Sequence, residues 1–243
     1  MSAIILDTET TGVDSPDVIS LAHTDILKSP LDLDGNVSQR LFKPLKPISL
    51  GALATHHIID EDLVDCEPWP GKWLPPKGVE YVIGHKVDYD WEACGSPHVA
   101  RICTLALARH LLPDLDSHKL GALTYYFHGR IVARELLKNA HNAAADVHLC
   151  KLLLIELLKL MPGMSSWHQV WVASEKARIP THLSFGKFGP DSDWAKANGQ
   201  PRGMPIDRVR RHDYGYWSWL LSGKCDQVNK DPYLQRALRG EAA

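Results

Sequence analysis

Short apolar runs dominate the first part of this chain, and longer helical patterns follow them. Ala3-Ile4-Ile5-Leu6 is an aliphatic, β-branched run that is typical of a buried strand. Further strands are predicted over residues 17–27, 37–45, 78–84 and 101–103. Asp34-Gly35-Asn36 has the chemistry of a hairpin turn. The first three strands are therefore expected to form an antiparallel meander.

Helical patterns occupy the spaces between the later strands and most of the chain after them. Ser49 is a suitable N-cap for a short helix over 50–57. Other helices are predicted from Asp60, from about Tyr89, after Cys103, over 118–128 and over 143–161. Strands followed by alternating strands and helices predict an α/β fold, with a mixed sheet that carries helices on its faces.

The helical pattern over 143–161 is the strongest in the chain, because its polar positions form only a narrow stripe. Pro162-Gly163 follows it and would end the helix. We therefore predict a main domain over 1–161 and a small C-terminal module over 162–243.

The composition of the 243 residues is that of a globular protein, with 44% hydrophobic and 23% charged residues. The net charge of −2 argues neither for nor against nucleic acid. From Ser174 onward the chain has twelve Lys/Arg and eight Asp/Glu, a net charge of +4. The rest of the chain therefore carries a net charge of −6. A cluster of metal-binding carboxylates would account for much of that negative charge.

Five cysteines at scattered spacings predict reduced thiols and a cytoplasmic protein, since no apolar leader precedes them. A zinc site at Cys94, His98 and Cys103 would need a second matching pair, which does not follow. Charged residues interrupt the longest apolar stretch, over 149–161. No association with a membrane is therefore expected.

Asp7 and Glu9 end the first strand and lie two residues apart, so they project to the same face. Two carboxylates on one face of a buried strand repel each other unless a hard divalent cation neutralises them. A solvated acidic pair at a strand end explains the same pattern. Thr10, Thr11 and Gly12 then form a turn, where backbone N–H groups can meet a ligand.

Asp88 and Asp90 follow the strand over 78–84, where the chain enters a helix. Ligand sites in such folds cluster at strand ends, so either aspartate is a candidate third carboxylate. Capping of the helix N-terminus is the alternative role for both.

His141 and Asp146 are five residues apart, which separates them by about 140° on a regular helix. If Asn142 caps the helix instead, His141 lies on the preceding loop and Asp146 points toward the sheet. An ordinary capped helix with an incidental His and Asp is the alternative. Taken together, four carboxylates and one His are the set of groups used in two-metal phosphoryl chemistry, in which the His accepts a proton from water.

Three segments resemble the three motifs of the DEDDh 3′-to-5′ exonuclease superfamily: Asp7 to Gly12, Gly84-His85 with Tyr89-Asp90, and His141 with Asp146. The resemblance implies a ribonuclease-H-like fold, in which helices flank a mixed five-stranded sheet. It also implies four metal ligands and one general base. These are Asp7, Glu9, Asp90 and Asp146 as the ligands, and His141 as the base.

Asp90 is preferred to Asp88 because the family aspartate follows an aromatic residue, here Tyr89. Lys86 departs from the family, where Asn often stands, and puts a positive charge near the expected substrate backbone. Other segments are similar to bacterial exodeoxyribonucleases of the same superfamily. They lie at 47–58, 102–109, 185–188 and 214–220.

The resemblance implies a metal-dependent 3′-to-5′ exodeoxyribonuclease with two divalent ions, Mg²⁺ or Mn²⁺. It would release nucleoside 5′-monophosphates from single- or double-stranded DNA ends, in DNA repair, replication or recombination. One alternative is an exoribonuclease that trims RNA ends. The other is a non-catalytic nucleic-acid-binding module associated with replication.

The terminal nucleotide is expected to lie over Asp7 to Gly12, with backbone groups near Thr10 and Thr11 meeting the 3′ hydroxyl. Val13 is predicted to pack against the terminal base. By resemblance His56 contacts the end nucleotide; a plain helix-surface position is the alternative.

The C-terminal module has a basic stretch that runs into an aromatic one. Its residues are Arg208, Arg210, Arg211 and His212, followed by Tyr214, Tyr216, Trp217 and Trp219. Such residues can bind a phosphate backbone and stack on bases. The alternative is a small helix whose aromatic residues form the core and whose arginines are solvated.

Overall fold

The computed structural model describes residues 1–241. A mixed five-stranded sheet forms its centre, in the order β3-β2-β1-β4-β5. The strands are β1 (Ala3–Thr10), β2 (Val18–Thr24), β3 (Val37–Leu41), β4 (Tyr81–Gly84) and β5 (Ala100–Cys103). β1 to β3 pair antiparallel, and β1, β4 and β5 pair parallel. The predicted meander and the predicted mixed sheet are both confirmed.

Helices account for most of the remaining described chain. They are α1 (Leu50–His56), α2 (Asp88–Ala93), α3 (Thr104–Leu111), α4 (Leu120–Leu136), α5 (Ala143–Leu160), α6 (Trp167–Arg178), α7 (Asp193–Ala197), α8 (Ile206–His212), α9 (Tyr214–Leu220), α10 (Asp226–Lys230) and α11 (Pro232–Arg239). Single 3₁₀ turns lie at Asp60–Leu63, Leu137–Asn139 and Gly186–Phe188.

Local capping chemistry places the starts of two helices where the sequence predicts them. The Ser49 hydroxyl accepts from the Ala52 N–H at 3.2 Å at the start of α1. The Asn142 side chain accepts from Ala144 and Ala145 at the start of α5. α4 is longer than predicted, because the chain resumes a helix after a kink at Gly129, whose φ is 72°.

β1 is the central strand, and the residues of its apolar run are at most 1% exposed. β2 covers one edge of β1 and β4 the other, while α5 packs against β1 and β2. Leu153, Leu154 and Leu157 of α5 are buried. The hydrophobic packing of α5 therefore brings its N-terminal turn to the end of β1.

The chain forms two compact units, which divide between Ser174 and Glu175. The predicted division at 161/162 lies earlier, and local contacts explain the difference. The Trp167 indole N–H donates to the Leu27 carbonyl at 2.9 Å, and the Ser174 hydroxyl accepts from the Cys103 N–H at 2.8 Å. Residues after Pro162 thus complete the first unit.

The second unit has a hydrophobic core of its own. Its buried residues are Leu183, Phe188, Met204, Ile206, Val209, Leu220, Cys225, Val228, Leu234 and Leu238. In the described part of the chain, all five cysteines are free. None of the described helices has the length and apolar character needed to cross a membrane.

Candidate active site

Three carboxylates converge beside the central strand. Asp7 and Glu9 leave β1 on one face, as strand alternation requires, and Asp146 comes from the first turn of α5. One ligand oxygen from each lies within 4.8 Å of the other two. The structure therefore brings together three of the four predicted metal ligands in a group that can share one ion.

Asp90 lies beside these three carboxylates and is 5% exposed. Its Oδ1 accepts from the Thr8 hydroxyl at 2.7 Å and from the Thr8 N–H at 3.0 Å. β4 pairs with β1 only as far as Ile5. Beyond that residue, β4 no longer pairs with this edge of β1. Asp90 occupies the position that a neighbouring strand would take, and it stays outside the three-carboxylate group.

Burial and mutual repulsion raise the pKa values of the acidic side chains. Burial, Asp146 and Asp90 raise the pKa of Glu9 to about 8. Burial, followed by the charges of Asp90, Asp146 and Glu9, holds the pKa of Asp7 well above its usual range. The pKa of Asp90 rises to about 7 through burial, although the two Thr8 hydrogen bonds lower it in part.

Such a cluster is unfavourable near neutral pH unless a cation compensates its charge. Carboxylate oxygens are the ligands that hard divalent cations prefer. The donor set and its burial therefore fit a divalent metal ion.

Asp88, the other candidate in the second motif, has a different environment. Its Oδ1 accepts from Arg101 Nη1 at 2.6 Å, and the Arg101 guanidinium lies 4.2 Å from the centre of the Trp91 ring. Asp88 thus takes part in an ion pair, which agrees with the preference for Asp90.

His141 is exposed and precedes the Asn142 cap, as the capped-helix interpretation predicts. Its φ of 67° lies in the left-handed region, which non-glycine residues adopt at a cost. Burial raises the pKa of Asp146, while the His141 charge and a backbone hydrogen bond from His141 lower it. His141 therefore lies next to the carboxylate cluster.

The turn after β1 is held by its own side chains. Thr11 donates its N–H to the Asp17 carbonyl at 3.0 Å, and its hydroxyl accepts from the Asp17 N–H. The Thr11 carbonyl accepts from the Ser49 N–H at 2.8 Å. The backbone and hydroxyl groups of Thr11 thus all form hydrogen bonds within the protein.

Thr10 and Gly12 are joined by the hydroxyl of Tyr89. This hydroxyl donates to the Gly12 carbonyl and bonds to Thr10 Oγ1, and Thr10 Oγ1 lies 2.8 Å from the same carbonyl. A Cβ on Gly12 would lie 3.3 Å from the Ser49 hydroxyl. Close approach of α1 therefore favours glycine at this position.

Val13 and His56, the last two predicted substrate contacts, differ in exposure. Val13 is 80% exposed, whereas His56 is 8% exposed. His56 Nε2 donates to the Thr10 carbonyl at 3.3 Å, and Nδ1 accepts from the Ile58 N–H at 3.0 Å. The helix-surface interpretation of His56 is therefore wrong, because the ring is buried between α1 and the end of β1.

Thr8 and Tyr89 are positioning residues whose roles the sequence alone does not reveal. Thr8 fixes Asp90, and Tyr89 fixes the Thr10–Gly12 turn. A hydroxyl between two acids and an aromatic residue before Asp90 were the only signals in the sequence. Neither signal reveals its partner, because the Thr8–Asp90 bonds span 82 positions.

His85, also in the second motif, has a structural role. Its Nε2 donates to the His118 carbonyl at 2.9 Å, and its Nδ1 faces the Thr104 hydroxyl at 3.0 Å. Burial lowers the pKa of His85 to about 4, so the ring is neutral at physiological pH. It ties the end of β4 to the start of α3.

Comparison with known proteins finds relatives among the exonucleases. No protein-family model matches the chain. The chain is 27% identical over 222 residues to exodeoxyribonuclease 10 of Escherichia coli K12, an alignment that covers 90% of each protein. Exonuclease X in complex with 5′ overhanging duplex DNA is similar in structure, with a TM-score of 0.55 and 26% identity. That match covers 71% of this chain and 99% of the solved one.

Exonuclease I of E. coli, solved with a dT13 oligonucleotide, has the same fold. Its TM-score is 0.52 at 17% identity, over 66% of this chain and 42% of that one. The motif resemblance, the ribonuclease-H-like sheet and the sequence similarity over 90% of the chain lead to one conclusion. This chain is a relative of the DEDDh 3′-to-5′ exonucleases.

Proposed function

We propose that this protein is a metal-dependent 3′-to-5′ exodeoxyribonuclease that releases nucleoside 5′-monophosphates from DNA 3′ ends. The observation that carries the proposal is the convergence of Asp7, Glu9 and Asp146 within 4.8 Å. The homologue named exodeoxyribonuclease 10 supports DNA as the substrate. A role in DNA repair, replication or recombination and a cytoplasmic location belong to the same proposal.

Asp7, Glu9 and Asp146 would hold the metal, and the adjoining Asp90 would complete the ligand set. We propose two Mg²⁺ or Mn²⁺ ions, since hard cations prefer oxygen ligands. Two-metal sites supply an activated water and stabilise the leaving oxygen of a phosphodiester. The positions of these carboxylates would fix where that chemistry occurs.

His141 is the proposed general base, because it is the histidine beside Asp146. In its neutral form it accepts a proton from the attacking water. Its exposed position in the turn before α5 lets the side chain reach a bound substrate. Activity is therefore expected to fall on acidification, because a protonated imidazole cannot accept a proton.

The 3′ terminus is proposed to lie over the turn that Tyr89 holds. Val13 offers an exposed apolar side chain to the terminal base. Gly12 and Thr10 shape the backbone beneath it, with Thr11 and the buried His56 supporting the turn from behind. The exposed Lys86, whose charge lowers the pKa of Asp90, places a cation where a phosphate would pass.

A time course on strands labelled at the 3′ or 5′ end tests the function, with Mg²⁺, Mn²⁺ or EDTA. We expect 3′ label to be lost first, in the presence of metal only, and Asp7→Ala to abolish the loss. A matched RNA strand distinguishes the exoribonuclease alternative. Digestion from the 5′ end, or no digestion by the wild type, would contradict the proposal and favour a non-catalytic binding role.

A further inference from the structure

The second unit carries positive charge on one side of α8. Ile206 and Val209 of this helix are buried, and Arg208, Arg211 and His212 are exposed. These three residues are spaced i, i+3 and i+4, so they share one helix face. Among the described residues, neither arginine has a carboxylate oxygen within salt-bridge distance, in contrast to Lys187, which pairs with Asp213.

An aromatic stack leads from the core of this unit to its surface. The Tyr216 ring meets the buried Phe188 ring edge-on, at 5.3 Å and 83°. Trp219 stacks on Tyr216, at 5.5 Å and 26°, and is 41% exposed. The stack therefore ends in a ring that is accessible to solvent, and Tyr214, the first residue of the same helix α9, is 67% exposed.

Direct contacts join the basic face to the aromatic stack. The His212 ring lies 5.3 Å from the Phe188 ring, and Lys187 Nζ lies 5.3 Å from the same ring. Asp213, between α8 and α9, pairs with Lys187 and caps α9 by accepting from the Tyr216 N–H at 2.8 Å. Both features thus belong to one continuous part of the second unit.

The groove beside His212 limits where a polyanion could lie. This groove, about 630 Å³ in volume, is lined by Lys187, Trp194 and His212, but also by Asp191, Asp193 and Asp213. Three carboxylates oppose a phosphate there, whereas α8 carries three exposed arginines, Arg208, Arg210 and Arg211, against one exposed carboxylate, Asp207. Phosphates would therefore follow α8 and not the groove.

We propose that Arg208, Arg211, His212, Tyr214 and Trp219 form a basic-aromatic surface that binds single-stranded DNA without base preference. Arginines contact the phosphates, and exposed rings stack on unpaired bases, which every base sequence provides. The choice of DNA among polyanions rests on the proposed exonuclease function. A surface of this kind would hold a strand independently of the carboxylate cluster.

Binding of a fluorescent dT20 oligonucleotide to the full-length protein in EDTA tests the surface, by anisotropy over a series of salt concentrations. Arg208→Gln with Arg211→Gln is expected to weaken binding and to reduce the slope of log K against log salt by about 1.4. Trp219→Leu with Tyr214→Leu is expected to weaken binding about tenfold at an unchanged salt slope. Lys230→Gln, which removes a charge from α10, is the control.

Two results would overturn the proposal. One is that both double variants keep the affinity and the salt slope of the wild type. The other is that poly-glutamate of the same charge displaces the labelled dT20 as well as unlabelled dT20 does, which would indicate recognition of charge alone. Photocrosslinking of dT20 to the wild type, mapped to Tyr214 or Trp219, tests the surface without any substitution. Metal-dependent release of a 3′ label is measured separately, so failure of the exonuclease proposal and failure of the binding surface give different results.

Discussion

Thr8 holds Asp90 through two hydrogen bonds to the same carboxylate oxygen, one from its hydroxyl at 2.7 Å and one from its backbone N–H at 3.0 Å. The strand that bears Asp7 and Glu9 therefore also positions the carboxylate of the second motif. Both bonds favour the ionised form, since they lower the pKa that burial raises. The ionised carboxylate is the form that the proposed metal binding by Asp90 requires.

Removal of the Thr8 hydroxyl is expected to weaken metal binding. Thr8→Val preserves the shape of the side chain but loses the shorter bond to Asp90. Loss of a residue that orients a metal ligand typically costs 10- to 100-fold in affinity or activity, and we expect about tenfold here. The concentration of Mg²⁺ that gives half-maximal exonuclease rate measures the effect. Thr8→Ser should restore it, and an unchanged requirement for Mg²⁺ in Thr8→Val would contradict the positioning role.

Asp90→Asn and Asp88→Asn form a matched pair on one helix. Asp90→Asn is expected to lower the exonuclease rate more than about a hundredfold, because it removes a charge beside the cluster. Asp88→Asn loses a part-exposed ion pair with Arg101, which contributes less than about 1 kcal/mol. Initial rates at saturating Mg²⁺ compare the two. Equal rates would show that the second motif supplies no carboxylate to the site.

Stability without metal is expected to decrease as pH rises. The pKa of Glu9 is raised from 4.5 to about 8, so between these values the folded state binds more protons than the unfolded state. The free energy of unfolding therefore falls through this range, as the carboxylate cluster ionises. Melting temperatures in EDTA from pH 4.5 to 8.5 measure the trend.

Mg²⁺ should restore the lost stability at the upper end of this pH range, because a bound cation stabilises the folded state. Glu9→Gln, which cannot ionise, should flatten the metal-free profile. A metal-free melting temperature that is constant or rises over the same range would refute the assigned pKa shift.

Val13 is expected to affect substrate binding and not folding. Val13→Ser would remove the proposed apolar contact to the terminal base. KM for a 3′ end should therefore rise several-fold, while the melting temperature stays within the range of ordinary surface substitutions. Val64→Ser is the control, since Val64 is also exposed, at 57%. Equal KM values for both variants and the wild type would remove Val13 from the proposed seat of the 3′ terminus.

Much of the candidate site could be predicted from the sequence, because interactions between neighbouring residues determine it. Alternation along β1 places Asp7 and Glu9 on one face whatever the rest of the fold does. Asn142 caps α5 through its own neighbours, which leaves His141 in the loop and Asp146 inside the helix. The order of strands and helices followed from periodicity in the same way.

Contacts between distant residues decided the rest. Burial of Trp167 against Leu27 extends the first unit to Ser174, although Pro162-Gly163 ends the helix before it. His56 is buried because its ring meets the carbonyl of Thr10, 46 positions away. The sequence by itself determined which residues are acidic, capped and strand-bound. Only the tertiary structure decided that Asp90 bonds to Thr8 and that three carboxylates meet, because packing of α2 and α5 against β1 joins segments that no local pattern connects.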